Sequence, residues 1–499
     1  MRPLIQEIQT QHTPESLVEN LRGENGIILL RSNSFDSPQA RYSFVAANPF
    51  LVFRSFGSKC ELSFANETQI QFGNPWHLLD SLMSRFELLD EIDLPFPLGG
   101  AFGYWGYDLK NFVEPKLPRR AVNDIELPDC HVGFYDSLVV FDHQLGKVFI
   151  VSTGLDSDGS RDEKKAQSQL EFWNAKFAEK ESPQRHRDAE EEKKSNSLWL
   201  CGSVAEVTSS LSSNDFIAKV QRAQKYIRAG DIYQVNLSQR LTARWSETPS
   251  SPNQFSNRSW KMFEILSAVS PAPFSAFLDC GEFQIASSSP EQFLRMSGSQ
   301  IISRPIKGTR PRAADPTRDS QLAYELQTSA KELSELVMIT DLLRNDLGKV
   351  CEFGSVQVPE LAKLEKFAQV QHLVSTIEGR LKKDVTHFAA FASCFPGGSI
   401  TGAPKFRAME IIDELEPISR GPYCGAIGYL GFNRESQLSI AIRTAVCARE
   451  KIHFNVGAGI VADSIPEMEY EETLAKAAGF LAALKLELPA SLSSPSVSR

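Results

Sequence analysis

Two segments of this chain carry pairs of glutamates where a helix would bury them. In KELSELVMITDLLRNDL the apolar residues Leu336, Met338, Ile339, Leu342 and Leu343 recur at helical spacing. At about 100° per residue, Glu332 and Glu335 fall inside the same arc. In PEMEYEETLAKAAGFLAAL, Glu469 and Glu472 share a face with Lys476, Gly479, Phe480 and Ala483. A carboxylate turned toward an apolar interior is costly unless it is paired or bound to a cation. Four such groups suit a hard, oxygen-seeking ion such as Mg²⁺. Spacing alone leaves a second reading open, in which the acids lie on solvated faces, and the surrounding sequence must decide.

Those helices need a framework. Residues 1–153 alternate short apolar runs with turn signals, as in GIILLR, RYSFVAANPF, LVFRSF, SLVVFD and KVFIVST, which predicts the strands of a β-rich region. Within it, LGGAFGYWGYDL (98–109) sets glycine among aromatics, a pattern suited to close backbone approach in a sheet. Residues 154–210 crowd charge and read as a solvated helix plus linker. Periodicity strengthens over 211–486, where SNDFIAKVQRAQKYIRAGD predicts a capped amphipathic helix with apolar residues at 216, 217, 220, 223 and 227. The last stretch, 487–499, reads as a frayed tail.

Composition narrows the function classes. Lys plus Arg is 53 and Asp plus Glu is 62, a net charge of −9 without a basic stripe, which argues against a nucleic-acid partner. A small anionic substrate stays compatible, because local charge can oppose net charge. The eight cysteines form no Cys-x-x-Cys pair, pointing to reduced thiols rather than a zinc site or disulfide scaffold. With a polar start, MRPLIQEIQTQ, and no long apolar run, the chain reads as soluble, cytoplasmic and without a membrane span.

Several ordered segments then add a resemblance. DIYQVNLSQR (231–240), SSSPEQFL (287–294), RPIKGTRPR (304–312), ELVMITDLLRNDLG (335–348), QHLVSTIEG (371–379), FPGGSITGAPKFRAMEIIDELEP (395–417), RGPYCGAIGYL (420–430), SIAIRTAV (439–446) and VGAGIVADSIPEMEYEETLAKA (456–477) cover most of 214–485. In this order they resemble the chorismate-utilising enzymes, which include anthranilate synthase component I, aminodeoxychorismate synthase component I, isochorismate synthase and salicylate synthase.

The resemblance implies an α+β fold of two packed antiparallel sheets flanked by helices, with the active site in a cleft between them. It implies that Glu335 and Glu472 bind Mg²⁺ directly and that Glu332 and Glu469 support them. The metal would take one carboxylate of chorismate. Arg443, Tyr423 and the backbone of the loop Gly457-Ala458-Gly459 would take the other, because glycines let main-chain N–H groups approach an anion and a guanidinium fork suits a carboxylate. Gly308, Thr309, Ser399 and Lys476 match further substrate-contacting positions, and His372 matches a histidine near the ring hydroxyl. Taken singly, Gly-Ala-Gly reads as a turn and His372 as a structural residue. GGSITGAPK is not a Walker loop, since Ala403 rather than lysine follows Gly402.

Two positions separate the branches of that family. Water-using members place a lysine base where this chain has Gln234. Lys307, in PIKGT, stands where anthranilate synthases carry alanine and aminodeoxychorismate synthases carry lysine. The resemblance therefore implies the aminodeoxychorismate branch, with anthranilate synthase as the alternative. Lys307 would attack C2 of chorismate in its neutral form, which calls for desolvated, partly cationic surroundings. Glu291 of SPEQF would protonate the departing hydroxyl. No cysteine sits in a glutaminase Gly-x-Cys-x-Gly elbow. Ammonia is therefore expected from a separate glutamine amidotransferase subunit, in a heterodimer. Ser32, Pro273 and Ser275 could form a tryptophan pocket of the kind the family holds, although Arg31 departs from its regulatory pattern.

Overall fold

The computed structural model describes residues 2–32, 40–64, 67–88, 94–179, 204–245, 252–367, 370–484 and 486, so the expected tail at 487–499 lies outside the described residues. The runs expected as strands fold as Ile28–Arg31, Tyr42–Ala46, Leu51–Phe56, Ser137–Asp142 and Lys147–Ser152. Strands also form at Leu4–Ile8 and at the fully exposed Glu67–Phe72, neither of which is a continuous apolar run. The charged stretch after 153 contains the helix Glu163–Ala178, which buries Ala166, Leu170 and Trp173.

Among the described residues, two twelve-stranded sheets, paired antiparallel, form the body, as the expected α+β class requires. In one, Ile28–Arg31 pairs with Phe274–Asp279, setting Arg31 opposite Ser275. In the other, Gly100–Trp105 pairs with Ala426–Gly431, setting Gly103 opposite Gly428. The first 153 residues are thus not a separate layer, since they contribute strands to both sheets. The close approach expected of the glycine-aromatic segment is present: a Cβ on Gly103 would lie 2.1 Å from the His131 carbonyl oxygen.

Aromatic side chains bridge the sheets. Phe44 meets Tyr429 edge-on at 5.0 Å, and Tyr104 meets Phe283 at 6.1 Å. A second core lies beneath the helices on the first sheet, where Phe454 and Phe480 stack at 4.9 Å.

The two acidic helices form where periodicity placed them. Ala330–Val350 starts at Ser329, whose side chain accepts from the Glu332 amide, and buries Leu336, Ile339, Leu343 and Leu347. Pro466–Leu484 opens on proline, which costs no hydrogen bond there, and buries Tyr470, Leu474, Phe480 and Leu481. No helix among the described residues is long and apolar enough to cross a membrane. The seven described cysteines are buried free thiols.

Candidate active site

A cavity of about 470 Å³ lies where both sheets and both acidic helices meet. That volume suits a small cyclic metabolite. Strands Gln234–Trp245 and Lys451–Ile460 of the first sheet supply Asn236, Asn455, Gly457 and Gly459. Strands Ile306–Pro311 and Val370–Arg380 of the second supply Lys307, Gly308, Thr309 and His372.

Glu332, Glu335 and Glu472 line this cavity, while Glu469 lies behind them, 5% exposed, accepting from Ser464 Oγ at 2.7 Å. Burial raises the Glu335 carboxyl above its ordinary range; Lys307 and Lys331 oppose the rise, and the charges of Glu332 and Glu469 add to it. Glu469 is raised in the same way, by burial and by Glu472. Burial pushes Glu472 upward too, but Lys476 at 2.7 Å leaves it below the ordinary range. The acids therefore share one electrostatic neighbourhood with the cations between them. Lys307 is 3.9 Å from Glu335, and Arg310 is 3.6 Å from Glu332. Among the described residues no three carboxylate, histidine or cysteine groups gather closely enough to hold a metal as they stand. The donor set still fits a hard divalent cation: it is all oxygen, and its mutual repulsion is what such an ion would relieve.

Glu291 is buried and its carboxyl is pushed up to about 7, chiefly by burial, against a hydrogen bond from Ser399, the charge of Lys307 and the Ile306 amide. Such a carboxyl holds a proton near neutrality and can donate it. The charged groups facing the Lys307 amine are Glu335, Glu472 and Glu291. Both glutamate helices converge on this lysine, and Arg310, Lys331, Arg443 and Lys476 line the same cavity, so acids stand beside the cations expected from the sequence. His372, 3% exposed, is pushed by burial down to about 4 and is neutral at physiological pH. Its Nδ1 lies 2.9 Å from Thr309 Oγ1 and 3.3 Å from the Gly308 carbonyl oxygen. That carbonyl can only accept, so Nδ1 carries the proton and Nε2 keeps its lone pair. Gly308 has φ +66°, and a Cβ there would sit 2.6 Å from Leu326 and 3.1 Å from the Glu332 carboxylate.

The anion-binding residues meet where a strand stops short. Thr444–Ala448 begins only after Arg443, whose φ of +49° turns it out of the sheet, so among the described residues 456–459 have no strand neighbour on that side. The expected loop Gly457-Ala458-Gly459 is instead the end of the regular strand Lys451–Ile460. The Gly457 carbonyl accepts from Lys476 at 2.8 Å, which turns the main-chain groups of Gly457 and Gly459 toward this open edge. Ala458 is fully buried and does not line the cavity. A Cβ on Gly457 would lie 2.8 Å from the Tyr423 hydroxyl. Among the described residues no carboxylate is paired with Arg443. This corner thus offers a guanidinium, a phenol and main-chain donors to an anion.

The profile of the chorismate binding enzymes matches residues 35–482. This chain belongs to that family. Among curated relatives, anthranilate synthase component 1 of Acetivibrio thermocellus is 38% identical over 95% of this chain and 93% of its own. Aminodeoxychorismate synthase component 1 of Escherichia coli (strain K12) is 40% identical over 90% and 91%. Among solved structures, anthranilate synthase component I from Streptococcus pneumoniae superposes with a TM-score of 0.73 at 29% identity, covering 89% of this chain and 93% of its own. The menaquinone-specific isochorismate synthase from E. coli shares the fold, with a TM-score of 0.69 at 17% identity, covering 97% and 94%.

Sequence reasoning overlooked four polar residues that line the cavity of this chorismate binding enzyme: Asn236, Arg310, Lys331 and Asn455. Asn455 shares a strand face with Gly457, and Lys331 lies one helical turn before Glu335, so the same periodicities would have found both. Also overlooked was the buried Arg420–Glu416 pair, 2.7 Å apart, which ties Ser238 to the carbonyls of Asn236 and Ile400 beneath the cavity. Ser32, Pro273 and Ser275 do meet, around a separate cavity of about 40 Å³ that Arg31 also lines. The Arg31 guanidinium is held there by Glu15 and the Ser32 carbonyl.

Proposed function

We propose that this chorismate binding enzyme is the aminating subunit of aminodeoxychorismate synthase, which converts chorismate and ammonia to 4-amino-4-deoxychorismate and water for 4-aminobenzoate and folate synthesis. The observation that carries this reading is the amine of Lys307 inside the cavity, 3.9 Å from Glu335 and as far from the Cβ position of Gly459. A lysine so placed can act as the first nucleophile. Its amine adds at C2, the ring double bond shifts, and the C4 hydroxyl leaves as water with the proton of Glu291. Ammonia then adds at C4, its nitrogen returning one proton to Glu291, while the double bond returns and Lys307 departs as the free amine.

Arg443, Tyr423 and the free edge at Gly457 and Gly459 would hold the pyruvyl carboxylate. Gly308, Thr309, Ser399 and Lys476 would shape the ring site, and His372 Nε2 would accept a hydrogen bond from the ring hydroxyl. Mg²⁺ held by Glu335 and Glu472, with Glu332 and Glu469 behind, would neutralise the ring carboxylate. A glutamine amidotransferase subunit would supply ammonia in a cytoplasmic heterodimer, in keeping with relatives named as component 1 of their synthases. A tryptophan site at Ser32, Pro273 and Ser275 belongs to the same reading.

The anthranilate synthase alternative draws on relatives of that name at equal similarity. Product analysis decides between them. Incubation with chorismate, Mg²⁺ and ammonium should yield 4-amino-4-deoxychorismate without pyruvate. Fluorescent anthranilate with stoichiometric pyruvate would refute the proposal.

A further inference from the structure

Ser399, which gives Glu291 its hydrogen bond, stands on the short turn Gly398–Ile400 at the wall of the cavity. Internally the turn is fixed. The Thr401 hydroxyl donates toward the Gly397 and Gly398 carbonyls at 3.0 and 3.2 Å, and the Ile400 carbonyl accepts from Arg420 at 3.1 Å. Its placement against the neighbouring elements is set from outside. A Cβ on Gly397 would lie 2.6 Å from Ile440, and one on Gly398 would lie 2.7 Å from Leu342. The two glycines thus let the turn wedge between strand Glu435–Ile440 and helix Ala330–Val350.

At the root of the turn, a lysine ties the chain to that same helix. Lys405 Nζ donates to the Cys394 carbonyl at 3.0 Å, to the Pro396 carbonyl at 2.8 Å and to the carboxylate of Asp346. An ammonium has three protons, and each of these has an acceptor. Asp346 is 1% exposed and lies about three helical turns beyond Glu335, on the same side of the helix. Its other oxygen takes Lys349 at 3.0 Å. For stability alone, apolar side chains of similar size often serve as well as a buried ion pair. This pair also grips both carbonyls that flank Phe395, just before the turn that carries Ser399.

We propose that Lys405, anchored by Asp346, is a positioning residue for the acid: it holds the turn so that the Ser399 hydroxyl stays on Glu291. The proposal rests on the acid role of Glu291 proposed above. Glu291 also feels the charge of Lys307, the Ile306 amide and the thiol of Cys424, which burial pushes up to about 12. Of these influences only the Ser399 bond comes from the turn. That bond lowers the Glu291 carboxyl against the rise caused by burial, so losing it should raise the carboxyl further.

The test follows chorismate consumption with Mg²⁺ at constant free ammonia as a function of pH. It compares the wild type with Lys405→Met, Asp346→Asn, Ser399→Ala and the double variant Ser399→Ala/Lys405→Met. Lys405→Met should lower kcat about tenfold to a hundredfold through misplacement of the acid. It should also move the alkaline decline of the rate upward by about half to one pH unit, the worth of one hydrogen bond. Asp346→Asn keeps the shape of the buried side chain and should act in the same direction to a smaller degree. In the Ser399→Ala background, Lys405→Met should move the decline no further, because the bond it protects is already gone. A merely structural loss would lower the rate at every pH and leave the decline in place. That result in Lys405→Met or, where that variant does not fold, in Asp346→Asn would overturn the positioning role, as would a further shift in the double variant. A wild type without an alkaline decline would instead overturn the acid role of Glu291, and its positioning with it.

Discussion

Replacing Glu291 by glutamine tests the proposed acid in two independent ways. Moving a carboxyl from its ordinary 4.5 to about 7 means that its ionised form costs the folded protein roughly 3 kcal/mol. Because the folded-state value is raised, the protonated residue burdens the fold least below pH 4.5. Stability is lost as pH climbs from there through about 7, and it levels off above. Glutamine cannot ionise. Glu291→Gln should therefore gain stability relative to wild type between pH 5 and pH 8, by up to roughly 3 kcal/mol less the altered bond with Ser399. Denaturant midpoints of both proteins, measured at several pH values, report the difference. Catalysis should move the other way. Loss of a general acid costs roughly 10²–10⁴-fold, and the wild-type rate, measured at constant free ammonia, should fall above pH 7 as Glu291 ionises. A stability difference that is flat with pH, together with a wild-type rate that does not decline on the alkaline side, would refute both the burial argument and the acid role.

Three further outcomes follow from the same geometry. Glu335→Gln and Glu472→Gln should abolish chorismate consumption, and Glu469→Gln should weaken metal binding roughly 10–100-fold as a supporting residue; Mn²⁺ titration followed by electron paramagnetic resonance measures the affinity directly. Lys307→Ala should greatly slow amination at C4 and shift residual product toward C2-substituted compounds, including anthranilate, while Lys307→Arg should not restore the rate; chromatography with mass detection separates these products. Gly308→Ala should destabilise the protein by about 1–2 kcal/mol, since φ is +66°, and should displace Leu326 or Glu332; thermal denaturation and the Mg²⁺ dependence of the rate read the two effects.

What sequence made legible was local. The 3.6-residue period put Glu332 and Glu335 on the buried arc, and the structure puts both on the cavity wall. Short apolar runs set between turn signals located strands such as Leu51–Phe56 and Ser137–Asp142. Glu67–Phe72 was not singled out although Thr68, Ile70 and Phe72 alternate with Glu67, Gln69 and Gln71, because it has no continuous apolar run. The end of strand Lys451–Ile460 looked like a loop because two glycines suggest a turn; only knowledge that Thr444–Ala448 stops short explains why glycine is needed there. That Glu335 and Glu472 stand beside Lys307 was equally hidden, since they come from helices that lie beyond it in the chain and return through tertiary packing. Register between distant strands leaves no periodic trace, so the contribution of the first 153 residues to both sheets could not be read in advance.

That stitching bears on how the molecule is made. Arg31 waits for Ser275, and Gly103 for Gly428, before either sheet can close. A ribosome exposes the edges of Ile28–Arg31 and Gly100–Trp105 long before their partners are synthesised, and unpaired edges invite association with other chains. Pairings this remote in sequence pay their loop-closure entropy late, which makes folding slow. The nascent N-terminal strands thus keep an open edge until the C-terminal strands arrive, and both sheets become complete only near the end of synthesis.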